Sequence, residues 1–477
     1  MSNTSSEAHL ARRLGLFDTT MLVMGGIIGS GIFINPYVVA QQVPSKVLIL
    51  GAWLFGGLIA LAGAFIYAEL SSQTSASGGQ YLYLRDAFHP ALAFVYGWAL
   101  LLVTQSGGMA AVAVTFAKYL CALGNFETND NIATLLATIT LGLLTIINCF
   151  GVRAGTTTQN IFMVLKLLAI AALVAFGLTV SGPSSTSMTR STLLRSEPDW
   201  HLGYGGQASP APTVWNSLTA FGAALIPVQF AYGGWQTSCF VAGETRDPKR
   251  NLPRGLLLGV LGVIVVYLLV NFVCVHTLGP AGLAQTRTPA SAVMRLALGE
   301  TGARIIAVGI AVSTIGFLSQ SMLTAPRVYF AMAEDGLFFS SLAKLNRARV
   351  PAFAIALQGA LAIVITLSGR YEQILNYVIS VDVIFFALTA ATVFVFRSRV
   401  RAGLALNRSE SVFHIPGHPF TTLFFIVACG GVAFSTVYRY PHNSAIGLGM
   451  MLTGIPVYLF WRIKKTQNTQ RRTPNAE

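Results

Sequence analysis

Charge is what this 477-residue sequence has least of: Asp, Glu, Lys and Arg together make up 10% of it, against about 25% in an average soluble domain. A water-facing surface cannot be assembled from so few ions, which excludes nuclear, cytosolic and secreted globular classes. Acids are scarcest, 17 against 31 Lys and Arg, for a net charge of +14. That excess is no nucleic-acid footprint, because the basic residues separate apolar spans instead of forming stripes interleaved with aromatics. Cysteine is equally sparse. Cys121, Cys149, Cys239, Cys274 and Cys429 lie within or at the ends of apolar spans, with no paired short spacing, so they spell neither a disulfide framework nor a zinc site. Of the seven His, only His276 falls inside a span, and no HExxH, GxSxG or paired-carboxylate pattern occurs. The expectation is a protein that is not an enzyme and needs no metal or cofactor.

What is abundant is apolar: AVILMFWYC residues make up 54%, with 46 Gly besides. Runs of membrane-spanning length fall at about 16–40, 47–70, 90–120, 132–150, 157–181, 216–243, 254–278, 301–332, 351–368, 372–397, 419–438 and 443–462. The chain reads as an all-α membrane protein of about twelve helices, its shortest loop lying around Arg370. A polar tail, 1–15, lacks the apolar core and cleavage site of a secretory signal. One transmembrane domain, 16–462, follows, and then a tail, 463–477. About 20 Lys and Arg fall in the loops on the side of the termini against about 8 opposite, so both termini read as cytoplasmic. The triplets Asn3-Thr4-Ser5 and Asn407-Arg408-Ser409 then lie on the wrong side for glycosylation.

Two spans are interrupted. The first carries Gly25-Gly26-Ile27-Ile28-Gly29-Ser30-Gly31 and the sixth Tyr232-Gly233-Gly234-Trp235, about 203 residues apart. Gly25 and Gly29 form a GxxxG, so close helix packing would explain one such span alone. Two interruptions at matching positions favour an inverted-repeat transporter with a binding site at the breaks. The repeats run about 16–181 and 216–397, a 5+5 arrangement with two added helices at about 419–462. Unwound backbone survives in a membrane only when buried or lining a cavity. A half-helix beginning near Ser30 offers N–H groups and a positive dipole end to an anion. Half-helices that end at the breaks offer carbonyls to an ammonium, and a site presenting both matches a zwitterion such as a free α-amino acid.

Gly29-Ser30-Gly31-Ile32-Phe33 resembles the first-helix motif of the amino acid–polyamine–organocation transporter superfamily. Ala68-Glu69-Leu70 with Ser77-Gly78-Gly79-Gln80-Tyr81 fits as well, as do Phe230-Ala231-Tyr232-Gly233-Gly234-Trp235 and the charged segment Glu244–Arg254. The combination is similar above all to the L-amino-acid transporter branch, in register over about 16–400. The resemblance implies that backbone N–H groups of Ser30 and Gly31, helped by the serine hydroxyl, hold the substrate carboxylate. Carbonyls of Ile27, Phe230 and Gly233 hold the amino group, with Phe230 as a gate. Tyr232 and Gln236 belong to the same site, and Gln236 stands where related transporters often have Asn. Glu244 and Arg250 are the expected gating charges of a segment that docks on the inner gate, with Glu69 and Arg327 as partners on position.

Ionisable residues inside spans each cost about 2.5–3.5 kcal/mol. Lys166, in mid-span, matches a lysine whose ammonium stands where sodium-coupled relatives bind a cation. The resemblance has it bridge carbonyls near Gly25–Ile28 to the hydroxyl of Ser313, with Thr314 beside it. A fixed positive charge there argues for exchange or proton-linked transport over sodium coupling; a static structural cation is the bland alternative. Asp382 is the lone acid well inside a span and falls near the substrate side chain by resemblance. It can stay protonated, tune selectivity or carry a proton, or simply hydrogen-bond a neighbouring helix. Lys118 snorkels to an interface.

The expected function is secondary active transport of L-amino acids across the cell membrane, independent of sodium, by alternating access, with exchange or proton coupling and neutral substrates favoured. A sodium symporter, or a cationic amino acid or polyamine carrier of the same fold, is the alternative. Mammalian relatives of the resemblance pair with a glycoprotein through a Cys in the loop after the third helix. Ala122–Asn131 has none, so no disulfide-linked heavy subunit is expected. The short tails fit a bacterial inner-membrane carrier.

Overall fold

The computed structural model describes residues 14–73, 76–124, 130–150, 155–180, 214–348, 350–368, 371–404 and 413–462. Residues 1–13 of the first tail, the tail 463–477, Arg370, the Asn407 triplet and residues 125–129 of the loop after the third span lie outside the described residues. Among the described residues there is no sheet; the strand-like element is one bridge between Leu14 and Thr245. Among the described residues nine helices are long and apolar enough to cross a membrane, and the bent pair Leu16–Ile27 (α1) and Gly31–Gln42 (α2) makes a tenth. A count of twelve would require also the shorter Ala352–Ser368 (α13) and the broken helix that begins with Val214–Tyr232 (α9).

The helices start where the sequence makes starting cheap. Pro90, Pro248, Pro289, Pro326 and Pro441 each stand in the first turn of a helix, where the ring presets φ and the missing N–H is no loss. They open α5 (Pro90–Ala99), α10 (Pro248–Leu283), α11 (Pro289–Thr324), α12 (Pro326–Glu334) and α16 (Pro441–Leu452). The apolar run at about 301–332 covers both α11 and α12, which meet at Ala325. The remaining long helices are α3 (Lys46–Ser72), α6 (Ser106–Leu123), α7 (Asp130–Cys149), α8 (Gly155–Thr179), α14 (Tyr371–Arg401) and α15 (Phe420–Arg439). A short α4 (Gln80–Ala87) lies between α3 and α5.

Packing separates an inner from an outer surface. The rings of Trp53, Tyr67, Tyr96 and Tyr267 are fully buried, and Trp53 meets Tyr267 edge to face with centroids 5.6 Å apart. By contrast, α7 exposes Leu135, Leu143 and Ile146 by 56–58%, eight and three residues apart on one stripe. Such an apolar face is stable against lipid and a liability in water. α10 lies against α3 and α1, and α11 against α8 and α6; most of the first broken span is buried among its neighbours.

Candidate functional site

The first break is held by side chains that arrive from elsewhere. α1 and α2 are bent by 42°, and Ile28 leaves the helical path at ψ 90°, which strips nearby carbonyls of their usual i+4 partners. Lys166 of α8, wholly buried, brings its Nζ to 2.8 Å from the Ile28 carbonyl and 3.4 Å from that of Gly25. The Ser313 hydroxyl donates to the Gly29 carbonyl at 3.5 Å, while Thr314 turns back to its own helix at Ile310 and Ala311. Gln320 donates to the Leu22 carbonyl at 2.6 Å and accepts from Gln159. Tyr267 of α10 places one hydroxyl 3.1 Å from the Ile27 carbonyl and 3.0 Å from that of Ala231. A single proton donor thus reaches both broken spans.

The second break is held by its own residues. α9 ends at Tyr232 and Gly234 adopts φ 107°, after which Trp235–Glu244 winds on as a 3-10 helix. A Cβ on Gly234 would stand 2.0 Å from the Gly26 carbonyl oxygen, so both the conformation and the close approach demand glycine. The Gly234 N–H donates to the Gln236 side-chain oxygen at 3.0 Å, and the Thr237 hydroxyl donates to the Gly234 carbonyl at 2.7 Å. That bond gives a local reason for the glutamine: its amide oxygen caps the break.

Between the breaks lies an open cavity that takes in about 630 Å³ of space, its mouth included. Ile27, Ser30, Gly31, Phe230, Gly233, Gln236 and Asp382 all line it. The Ser30 hydroxyl is buried with no partner. The first N–H groups of α2 have no preceding turn to bond and carry the helix's positive end, so an anion is stabilised there. Opposite, the Phe230 carbonyl accepts from Gly233 N at 3.3 Å and the Ile27 carbonyl from Gly29 N at 2.9 Å. Each carbonyl oxygen has two lone pairs. An ammonium at Ile27 therefore competes with Tyr267, whose hydroxyl can turn to Ala231 instead.

Tyr232 is placed differently from the expectation. It lies outside the cavity wall, fully buried, its ring 6.0 Å from Trp53 and 5.0 Å from Tyr267. Two residues along a helix are about 200° around it, so Phe230 and Tyr232 cannot both face the cavity while α9 stays helical. Other wall residues carried no local signal in the sequence: Thr104, Gln105 and Gly108 from one side and Phe317 from another. Thr104 and Gln105 sit in a π-turn, Leu100–Gln105, between α5 and α6. The extra residue in such a turn re-aims side chains and recurs at functional sites.

On the side that the loop charges assign to the cytoplasm stand two partly buried ion pairs. Arg327, 4% exposed at its side chain, donates to Glu244 at 2.9 Å. Glu69 takes a two-pronged contact from Arg397 at 2.8 and 2.6 Å and accepts from Ile415 N at 2.8 Å. Burial and the Arg397 guanidinium hold the nearby His418 imidazole below its ordinary pKa. Arg250 lies in the exposed region, 4.0 Å from Asp247, away from Glu244's partner. The motif Ser77-Gly78-Gly79 receives the 3-10 helix: Gly243 N donates to the Ser77 hydroxyl and Gly78 N to the Phe240 carbonyl, both at 3.2 Å.

A family profile described as amino acid permease matches residues 14–461. The chain is similar to the serine/threonine exchanger of Bacillus subtilis, 29% identical over 96% of this chain and 98% of that protein. It is also similar to the human large neutral amino acids transporter small subunit 2, 31% identical over 95% of this chain and 82% of the relative. The b(0,+)-type amino acid transporter 1 of Oryctolagus cuniculus is 28% identical over 83% and 78% respectively.

Proposed function

The chain belongs to the amino acid permease family, and from that premise we propose that it is a multi-pass secondary transporter exchanging L-amino acids across the cell membrane. The cavity between the two breaks carries this reading. One wall offers N–H groups and an unpartnered serine hydroxyl, the other carbonyl oxygens, and together they fit the two charged ends of an amino acid. Each charge-assisted hydrogen bond contributes about 1.5–3 kcal/mol. Neutral amino acids are the favoured cargo, as the names of the bacterial exchanger and the human relative suggest.

Sodium independence follows from Lys166. Its ammonium satisfies the carbonyls of Gly25 and Ile28, where a coupling cation would otherwise bind. Phe230 is the gate over the substrate. The Glu244–Arg327 pair closes the inner side and breaks when α1 and the 3-10 helix swing outward. Membrane orientation with both termini in the cytoplasm, location in a bacterial inner membrane and action without a disulfide-linked subunit complete the proposal.

The test is counterflow of labelled L-amino acids into proteoliposomes preloaded with unlabelled ones, with and without sodium and with and without a pH gradient. Saturable counterflow indifferent to sodium is expected. Steep sodium dependence would overturn the coupling assignment, and conductance without counterflow would replace the carrier by a channel.

A further inference from the structure

We infer that this carrier selects amino acids whose side chain donates a hydrogen bond, and that Asp382 with Thr104 receives it. The inference rests on the amino acid reading of the cavity. If the breaks hold the carboxylate and the amino group, the substrate side chain projects toward the remaining wall. That wall is mainly apolar, with Val112, Phe317 and Ile379, so its polar members stand out.

Four polar side chains line the cavity besides Ser30, namely Thr104, Gln105, Gln236 and Asp382, and they are not equivalent. Gln236 has already committed its oxygen to Gly234 N. Thr104 Oγ1 is buried and has no hydrogen-bond partner. Asp382, the one ionisable side chain lining the cavity, has no hydrogen-bond or ion-pair partner among the described residues. Among the described residues no cation pairs with it: Lys166 is held by the first break, and the titratable groups within its electrostatic reach are Tyr67, Tyr96 and Cys429. Asp382 is half-buried on the open cavity, and a carboxyl that a docking substrate covers without pairing is unfavourable in either protonation state. A substrate O–H or N–H removes that penalty, whereas an aliphatic side chain seals it in. The π-turn Leu100–Gln105 turns Thr104 to the same cavity.

A pocket built around a hydrogen bond discriminates sharply against an isostere lacking the donor. Threonine and valine are such a pair. A bond to a carboxylate corresponds to about 10- to 100-fold in affinity, and this is the preference expected for L-threonine over L-valine. Both a hydroxyl and an ammonium supply the required proton, so L-lysine forms a separate arm.

The experiment uses the full-length protein in proteoliposomes, with labelled L-threonine, L-valine and L-lysine each exchanged against an internal amino acid mixture. Threonine or lysine exceeding valine by about 10-fold or more supports the inference. Asp382→Asn keeps an acceptor oxygen, so it retains the hydroxyl preference and loses lysine; this separates the two donors. Asp382→Leu abolishes or inverts the threonine-to-valine ratio. Wild-type protein that takes valine as well as both donors overturns the inference, and so does an unchanged ratio in Asp382→Leu. Should that variant not fold, the wild-type ratio and Asp382→Asn decide. Absence of exchange for every amino acid would instead remove the transporter reading beneath it.

Discussion

The two breaks look alike in sequence, each a glycine pair inside an apolar span, yet they are maintained in opposite ways. The break at Ile28–Ser30 is held from a distance, by Lys166, Tyr267, Ser313 and Gln320 from three other helices. The break at Gly233–Gly234 is held mainly from within, by the conformation of Gly234 and by Gln236 and Thr237 just downstream, with Tyr267 reaching only the Ala231 carbonyl ahead of it. A locally encoded break keeps its shape as neighbouring helices move. A break that depends on remote donors changes when those helices shift, which makes it the more responsive half of the site.

That contrast can be tested by removing supports one at a time. The largest effect is expected at Gly234→Ala, where a methyl would press on the Gly26 carbonyl in a backbone conformation that costs about 1–3 kcal/mol for other residues. Transport should vanish and the detergent-solubilised protein should melt at lower temperature; normal uptake would show that the breaks are not in such close contact. Next comes Lys166→Ala. It strips two buried carbonyls of their donor at about 1–3 kcal/mol each, and uptake should fall by at least about tenfold. Retained, newly sodium-stimulated uptake would mean that a cation can take the ammonium's place, and full sodium-free uptake would show the lysine to be dispensable.

Tyr267→Phe should be milder, because the ring packing against Trp53 and Tyr232 survives. Loss of its hydroxyl should cost about 1 kcal/mol of stability and shift the substrate affinity several-fold, in either direction. A tighter substrate would show that the hydroxyl competes with the ammonium, while unchanged affinity and stability would deny it any place in linking the breaks. Smallest is Gln236→Leu, which removes one cap from a break otherwise secured by glycine. A change of about twofold in uptake, read against about 1 kcal/mol of stability, is expected. A complete loss would mean that the amide meets the substrate directly.

The same contrast explains what could be read from the sequence. Glycine pairs and the 203-residue spacing are local or periodic signals, and they located both breaks and most of the backbone wall of the cavity. Lys166 and Asp382 were legible because an ion in an apolar span is costly and therefore conspicuous. Tyr267 and Gln320 were not, since a polar atom in a helix reveals its partner only after folding. Thr104 and Gln105 depend on a π-turn that leaves no mark in hydropathy. Of the two acids and bases paired on position, Arg327 reaches Glu244, but Glu69 turns to Arg397 because α14 extends to Arg401 and brings that guanidinium beside it. Tyr232 shares its motif with Phe230 but not its face, because a helix separates neighbours by rotation.

One small feature sets how these parts can travel. Leu14 N donates to the Glu244 carbonyl at 3.0 Å, and Arg246 N donates to that of Leu14 at 2.8 Å, so the lead-in to the first broken span is stitched to the tail of the second. Two such stitches bind the inner arms of both spans together, so a shift of one must either carry the other with it or break both bonds.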